Sequence, residues 1–187
     1  NAPNIVRTFD RVVSLRDFED AAREYEGIAK ARARMVWNGE EQEVSLVVAA
    51  DDDADLKTEE LKKLQEYLNA RRDTNRKLRI VPRKKVPIAI RVEVKVASDY
   101  LEENVSDSTT DALRSYFAFE NQDIGQDIFL SDIYKALQRV DGLKAARILE
   151  LQPFSQPSGK VPERMMISPE EMAAIIDPKD VSVPIWR

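Results

Sequence analysis

Hydrophobic and polar residues alternate in two stretches of the chain, and this spacing predicts half-buried β-strands. In residues 30–37, small and apolar side chains fall on one face, whereas Lys30, Arg32 and Arg34 fall on the other. Residues 88–96 alternate isoleucine and valine mostly with charged residues in the same way. Each stretch therefore predicts a strand with one face in a core and the other toward solvent.

A helix is predicted just before the first of these strands. Ser14 and Asp17 have the spacing of a capping box, in which each side chain bonds the other residue's backbone N–H. Apolar residues then recur on one helical face, and Gly27 supplies a natural C-terminal stop. These signals predict a helix over residues 15–26.

Further signals complete a first unit of αββαβ order. Asn38-Gly39 is the strongest short hairpin signal, and it predicts a return strand over residues 41–50. Leucines at helical spacing predict a helix near 57–73, and a short apolar run predicts a strand near 78–82. We predict that these elements form one small α/β sandwich.

A second unit of βααβ order is predicted from the strand at 88–96 onward. Apolar spacing predicts a helix around 109–119, and Ser131 is a suitable N-cap for another helix. A strand over 143–151 follows. The fold class predicted for the whole chain is therefore α+β, with two small α/β sandwich units and a C-terminal extension.

Prolines mark the expected domain boundaries. Pro82 and Pro87 bracket a joint, and a loop rich in proline and glycine follows the last predicted strand. We therefore expect domains at residues 1–84 and 85–152. Residues 153–187 are expected to form a loop and a tail that packs on the second unit.

The two tryptophans and the tail carry further expectations. Trp37, at the end of a predicted strand, is expected in the core. Trp186 is either packed with the tail or exposed as an anchor for a neighbour, since tryptophan is enriched at interface hot spots. The Ser-Pro-Glu-Glu sequence at 168–171 is typical of a helix start.

The composition excludes several classes of chemistry. The 187-residue chain has no cysteine and no histidine, so disulfides, thiolate metal sites, histidine-ligated zinc and Ser-His-Asp catalysis are excluded. The net charge of −5 argues against a nucleic-acid or anionic-membrane partner for the surface as a whole. No apolar run reaches the ~20 residues of a membrane helix. The chain begins without methionine or a signal peptide and is expected to be a fragment or a processed product.

An acidic turn at residues 51–55 satisfies only part of the pattern of a calcium loop. An EF-hand loop needs glycine at its sixth position and glutamate at its twelfth. Counted from Asp51, these positions hold Leu56 and Lys62, and the lysine would place positive charge against the ion. We therefore predict no metal site and interpret the turn as a solvated segment before a helix, whose dipole favours negative charge.

Basic residues are concentrated in the middle of the chain, and Asp73 is the only acid among them. Three interpretations compete: a solvated face, a docking surface for an acidic partner, and a nucleic-acid site. The run lacks interleaved aromatic residues, which disfavours stacking on single-stranded nucleic acid. With the second tryptophan it forms the candidate partner interface: Arg71, Arg72, Arg76, Lys77, Arg79, Arg83, Lys84, Lys85 and Trp186.

Several segments resemble one known family. Residues 8–19 read TFDRVVSLRDFE and residues 27–31 read GIAKA, and both are similar to the signature of the baseplate J-like family. Residues 125–133, GQDIFLSDI, resemble that family's Gly-x-x-hydrophobic-x-x-Ser-x-hydrophobic segment. The ending at 171–183 is similar more loosely, whereas the linker at 152–167 and the last two residues have no counterpart.

The resemblance covers the middle and C-terminal part of this family and implies a structural role. Such proteins look like wedge components in the baseplates of contractile phage tails and related injection particles. They join the hub to the periphery and pack against other baseplate proteins and copies of themselves. The resemblance further implies assembly in the bacterial cytoplasm, a final short strand near residues 180–185, and no catalytic residue or cofactor.

Two rival functions come from other classes. A nucleic-acid-binding α+β module would use the basic residues between 71 and 85, and its binding would depend steeply on salt. An enzyme without histidine or cysteine would need a pocket that holds carboxylates of raised pKa, and no motif supports one. We therefore predict a baseplate component that is not an enzyme, and leave open whether it belongs to a phage tail or an injection particle.

Overall fold

The computed structural model describes residues 12–51, 53–72, 76–154 and 161–186. The predictions for residues 8–11, Asp52, Asp73, Arg187 and most of the loop after residue 153 lie outside these ranges. Within them, four α-helices combine with antiparallel and parallel strands, which confirms the predicted α+β class. The chain divides into two compact units, Asn1–Arg83 and Lys84–Arg187.

Helix α1 begins where the capping box predicts. It spans Leu15–Arg23, and the Ser14 hydroxyl accepts a hydrogen bond from the Asp17 N–H at 3.1 Å. The Asp17 carboxylate accepts bonds from the N–H groups of Ser14 at 2.7 Å and Val13 at 3.0 Å, which hold the pKa of Asp17 below its ordinary value. The helix ends earlier than predicted, and the chain turns through Gly27 at a φ of 87°, a conformation that suits glycine.

Three strands form the sheet of the first unit. They are β1 (Ile28–Trp37), β2 (Gln42–Ala50) and β3 (Lys77–Pro82), in the spatial order β1-β2-β3. β1 and β2 form the predicted antiparallel hairpin, whereas β2 and β3 are parallel. Parallel neighbours need a crossover connection, and helix α2 (Thr58–Asn69) supplies it.

One face of this sheet forms the core of the first unit, and both helices contribute their buried residues to it. β2 is the central strand, and its apolar residues on this face lie between those of β1 and β3. The buried cluster consists mainly of Phe18, Ala22, Ala31, Ala33, Val44, Leu46, Val48, Leu64, Leu68 and Leu78.

The prediction that Trp37 lies in the core is wrong. Its side chain is 67% exposed, although it alternates with the buried Ala31 and Ala33. Trp37 is the last residue of β1 and pairs with Gln42 next to the hairpin turn. Burial on this face already falls at Met35, so the end of the hairpin extends past the core.

The second unit is built around one long strand. Its strands are β4 (Lys84–Val96), β5 (Ile128–Phe129), β6 (Leu143–Pro153), β7 (Arg164–Met165), β8 (Glu171–Ala174) and β9 (Val181–Ser182). β6 lies antiparallel to β4, whereas β8 and β9 lie parallel to it at different positions along its length. The short β5 and β7 form a separate antiparallel pair.

Two helices complete the second unit, and both contribute buried side chains to the core on the apolar face of β4. Helix α3 (Glu102–Tyr116) begins earlier than predicted, because Val105 extends its buried stripe and glutamates in the first turn suit the helix dipole. The prediction of Ser131 as the N-cap of α4 (Leu130–Leu137) is wrong. Pairing of β5 with β7 holds Phe129 in an extended conformation, and Phe129 therefore takes the N-cap position.

The prediction of a helix start at 168–171 is also wrong. The Ser168 N–H donates to the Glu171 carboxylate at 3.2 Å, and the Glu171 N–H donates to the Ser168 carbonyl at 2.8 Å. These local bonds close a turn, but Met172 and Ala173 are buried and pair with β4, which takes the chain into β8. The final short strand that the resemblance implies is present as β9.

The joint expected between two prolines is shorter than predicted. Pro82 ends β3, Arg83 follows, and Lys84 already begins β4. Pro87 lies within β4, where its carbonyl accepts a hydrogen bond from the Phe154 N–H at 3.1 Å. The connection between the strands of the two units is therefore a single residue.

Asp127 fastens the tail of the second unit to the segment that leads into β5. Its carboxylate accepts hydrogen bonds from the Ile167 N–H at 2.9 Å and from the Arg164 Nε at 2.8 Å. These bonds lower the pKa of Asp127 below its ordinary value of 3.8. Because the pKa is lower in the folded state, this contribution to stability is present above the ordinary value and is lost as the pH falls through the folded-state pKa.

Asp127→Ala is expected to loosen the tail near neutral pH. Hydrogen exchange of residues 164–174 should become faster, and the deficit in unfolding free energy should shrink in urea titrations taken from about pH 7 to about pH 3. Asp132→Ala is the control, since the Asp132 carboxylate pairs with Lys135 in its own helix. Unchanged exchange of the 164–174 segment in Asp127→Ala would contradict this role.

Candidate partner interface

The structure separates the basic residues that the sequence groups together. Arg71, Arg72 and Arg76 follow α2, Lys77 and Arg79 lie on β3, Lys84 and Lys85 begin β4, and Arg83 and Trp186 stand apart from these groups. The run is therefore distributed over several elements, and the contacts of each group are described separately.

The arginines after α2 bind groups at the end of their own helix. The Arg71 guanidinium carbon lies 3.7 Å from the centroid of the Tyr67 ring, and Arg71 Nη1 donates to the Tyr67 carbonyl at 3.1 Å. Arg72 Nε donates to Asn69 Oδ1 at 2.7 Å, and its Nη1 donates to the Arg76 carbonyl. Arg71 and Arg72 therefore already have partners within the chain.

Arg83 is buried. Its side chain is 4% exposed and pairs with the Asp53 carboxylate, and its Nη2 also donates to the Asp53 carbonyl at 3.0 Å. The Arg83 N–H donates to the Val48 carbonyl at 2.9 Å, which continues the pairing of β2 and β3 by one residue. A buried cation of this kind anchors the loop before α2, so Arg83 is not part of the surface described next.

The register of the first sheet brings together basic residues that are distant in sequence. Paired residues on neighbouring strands point to the same face, and Arg34 pairs with Ser45, which in turn pairs with Arg79. This face lies opposite the core, and Glu43 is the one acid that the three strands place on it. We call its five bases the basic face: Lys30, Arg32, Arg34, Lys77 and Arg79.

Carboxylates hold the β3 side of the basic face. Arg79 Nε lies 3.1 Å from Glu43 Oε1, and Arg79 Nη2 lies 3.3 Å from Ser45 Oγ. Lys77 Nζ lies 2.6 Å from Glu41 Oε1, and this hydrogen bond raises the pKa of Lys77. Both cations pair with carboxylates, yet the Lys77 side chain remains 61% exposed and that of Arg79 46% exposed.

The β1 side of the basic face lies at the edge of the sheet. Arg32 is exposed there, and Lys30 and Arg34 are half-buried. Val47 and Ala49 on β2 form a fully buried floor between the two outer strands. Since neighbouring strands are about 4.8 Å apart, the β1 and β3 backbones lie roughly 10 Å apart across this floor.

The sequence alone indicates only the β3 part of this surface. Bases are dense around Lys77 and Arg79, whereas Lys30, Arg32 and Arg34 are recognisable only as the polar face of a strand. The alternation in β1 was the available signal. Joining the two sets requires the register across β2, which depends on a parallel crossover that no short motif encodes.

Trp186 lies beside charged residues of the second unit's sheet. The backbone N–H of Trp186 donates to the Val94 carbonyl at 2.7 Å. The ring centroid lies 5.0 Å from Arg147 Cζ and 5.8 Å from Lys95 Nζ, and Arg147 also pairs with Glu93 at 2.6 Å. The side chain is 39% exposed, so Trp186 combines packing with partial access to solvent.

The acidic turn lines an open cleft of about 510 Å³ in the first unit. Asp51, Asp55 and Glu60 face this cleft together with Lys57 and Lys63, so carboxylates and ammonium groups are mixed. In the ranges that the structure describes, no three acidic side chains are placed to hold a metal ion. Those ranges also contain no helix of the length and apolarity needed to cross a membrane.

Comparisons with known proteins agree with the resemblance seen in the sequence. The family model described as the baseplate J-like central domain matches residues 10–81. Among solved structures, a chain in the cryo-EM structure of the anti-feeding prophage (AFP) baseplate, 6-fold symmetrised, is similar with a TM-score of 0.71 and 16% identity. The match covers 90% of this chain and 38% of that chain, so this chain spans well under half of that relative. No curated protein matches.

The two comparisons carry different information. At 16% identity the structural likeness shows the fold alone, whereas the family model matches the sequence itself. The matched range contains α1, α2 and nearly all of the first sheet, including every member of the basic face. Residues 10–81 are therefore similar in sequence to the baseplate J-like central domain, in agreement with the resemblance seen in the sequence.

Proposed function

We propose that this chain is a structural wedge component of the baseplate of a contractile phage tail or related injection particle. The match of residues 10–81 to the baseplate J-like central domain carries the proposal. The likeness in fold over 90% of the chain supports it, since the similar chain comes from the AFP baseplate. The proposed place of assembly is the bacterial cytoplasm, and the proposed final location is the baseplate.

The proposed mode of action is protein–protein contact rather than catalysis. The basic face presents cations from β1 and β3, of which Lys77 and Arg79 pair with carboxylates. Trp186 adds a partly exposed aromatic ring on the second unit. Charged faces of this kind give specificity and faster association with complementary protein surfaces. The proposed partners are other baseplate proteins and copies of this chain.

No specific observation favours the nucleic-acid alternative. Arg83 is buried, and Arg71 and Arg72 bind groups at the end of α2, so these three bases of the 71–85 run already have partners within the chain. Glu41 and Glu43 also lie against the cations of β3, where their carboxylates would repel phosphate groups.

Affinity capture of the tagged chain from cells that produce the particle, read by mass spectrometry, tests the proposal. We expect sheath, tube or other baseplate proteins to be recovered. Replacing Arg32 and Lys77 by glutamate should reduce that recovery several-fold, because it reverses two exposed charges of the basic face. Recovery of nucleic acid, or of a metabolic complex without particle proteins, would overturn the baseplate assignment.

The matched control carries Arg16→Glu and Lys62→Glu. Both residues are exposed on the helices of the same unit, and the net charge changes by the same amount. Since α1 and α2 pack on the opposite side of the sheet, this control should capture the same proteins as the unmodified chain. Equal losses in the two variants would indicate an effect of total charge rather than of the basic face.

A further inference from the structure

Helix α3 carries an acidic stripe that the baseplate assignment does not use. Between Lys95 and Arg114 the chain has five acids and no base. Three of the acids recur every fourth residue and therefore share one face of the helix. We call them the acidic stripe: Glu103, Asp107 and Asp111.

The acidic stripe points away from the core of the second unit. The buried residues of α3 are Val105, Thr109 and Leu113, each two positions beyond a member of the stripe. Two positions correspond to a rotation of about 200° around a helix, so the two sets lie on opposite sides. All three acids are exposed, and the Asp111 side chain is 78% exposed.

The spacing of the acidic stripe is close to that of the basic face. Four helical residues advance by about 6 Å, so successive carboxylates are about 6 Å apart along α3. Alternate residues of a strand are about 6.7 Å apart, which sets the spacing of Lys30, Arg32 and Arg34 along β1.

We propose that the basic face of one copy of this chain binds the acidic stripe on α3 of a second copy. Within one chain Arg32, Glu103 and Asp107 are all exposed, so these groups are accessible to a neighbouring molecule. The contact joins two different surfaces and is therefore heterologous, a kind of contact that closes into a ring when the rotation between copies allows it. The inference rests on the proposed baseplate function, in which copies of a chain are arranged around an axis, as in the six-fold symmetrised structure that this fold resembles.

Such a contact is weak between two isolated copies. Exposed ion pairs contribute little individually and are screened by salt. Within a particle that holds the copies in place, each contact forms at a high effective concentration and adds to the others. We therefore expect self-association of the purified chain at low ionic strength and its loss at high ionic strength.

A charge-swap experiment tests the proposal with the full chain. The face variant carries Arg32→Glu and Lys77→Glu, and the stripe variant carries Glu103→Lys and Asp107→Lys. In sedimentation velocity at low salt, each variant alone should associate roughly tenfold more weakly than the unmodified chain. An equimolar mixture should regain association, because the reversed face then meets the reversed stripe and the two unmodified surfaces meet each other.

Each alternative result overturns the proposal in a distinct way. A chain that stays monomeric at low salt, a mixture that regains nothing, or variants that associate like the unmodified chain would each exclude this contact. Binding of a duplex oligonucleotide that the face variant loses, without rescue in the mixture, would assign the face to nucleic acid. If capture still recovers baseplate proteins while the charge swap fails, the proposed function stands and only the partner of the basic face is wrong.

Discussion

Leu46→Ala is expected to lower the free energy of unfolding of the first unit by roughly 2–5 kcal/mol. Leu46 is 0% exposed in the central strand β2, where it pairs with Ala33 on one side and Ile80 on the other. Three strands and two helices surround the site, so the cavity left by truncation has little freedom to collapse. Because small domains are stable by only about 5–15 kcal/mol, the loss would bring this unit close to unfolding.

Denaturant titration measures this loss, and hydrogen exchange shows that it falls in the first unit. The control is Leu101→Ala, which removes the same atoms from a side chain that is 70% exposed. Its expected cost is below about 0.5 kcal/mol. Equal losses in the two variants would contradict the burial of β2. Because β2 also forms the floor of the basic face, Leu46→Ala should weaken capture of partners as well.

Gly142→Ala is expected to destabilise the second unit by about 2–4 kcal/mol, from backbone strain and overpacking together. Gly142 has a φ of 77°, a conformation that costs residues with a Cβ. A Cβ at this position would meet the Tyr100 side chain, at 2.9 Å from its Cβ and closer to its ring. The Gly142 carbonyl also accepts the Ala97 N–H at 2.9 Å, so the turn cannot easily move away.

Gly39→Ala separates the two causes of this effect. Gly39 also has a positive φ, 103°, but a Cβ there would meet no atom within 4 Å. We expect it to cost only the backbone strain, about 1–2 kcal/mol, in thermal and denaturant unfolding. If both alanine variants lose the same stability, the contact with Tyr100 does not contribute.

Elements that depend on neighbouring residues could be predicted from the sequence. The bonds between Ser14 and Asp17 lie within four residues, and they start α1 as expected. Asn38-Gly39 likewise turns β1 into β2, with the Asn38 N–H donating to the Glu41 carbonyl at 3.1 Å. In both cases the partners are fixed by local geometry before any tertiary contact forms.

Elements that depend on distant partners could not be predicted in the same way. Ser168 and Glu171 make the local bonds of a helix start, but pairing with β4 turns the segment into a strand. Trp37 continues the apolar alternation of β1 and is nevertheless exposed, because β1 extends beyond Ala33, the last buried residue on this face. A local sequence pattern does not show which distant strand a segment pairs with, or how far along a strand the core extends.

The candidate interface shows the same division. The density of basic residues around Lys77 and Arg79 is visible in the sequence, whereas their neighbours on β1 come from a strand some forty residues earlier. Arg83 belongs to the same run but is buried by its pairing with Asp53. Charge density predicts that a surface exists, and strand register decides which residues belong to it.

The parallel pairing of β4 with β8 and β9 has a consequence for synthesis on the ribosome. The sheet of the first unit is complete once residue 82 has been made, so that unit can fold while the rest of the chain is still being translated. β4 follows immediately, but its parallel neighbours arrive only with residues 171–182. One edge of β4 therefore stays unpaired until nearly the whole unit has been synthesised. An unpaired strand edge can form hydrogen bonds with the edge of another chain. Helices α3 and α4 precede β8 and β9 in the chain and cover the apolar face of β4, so this face can be buried before the parallel neighbours are made.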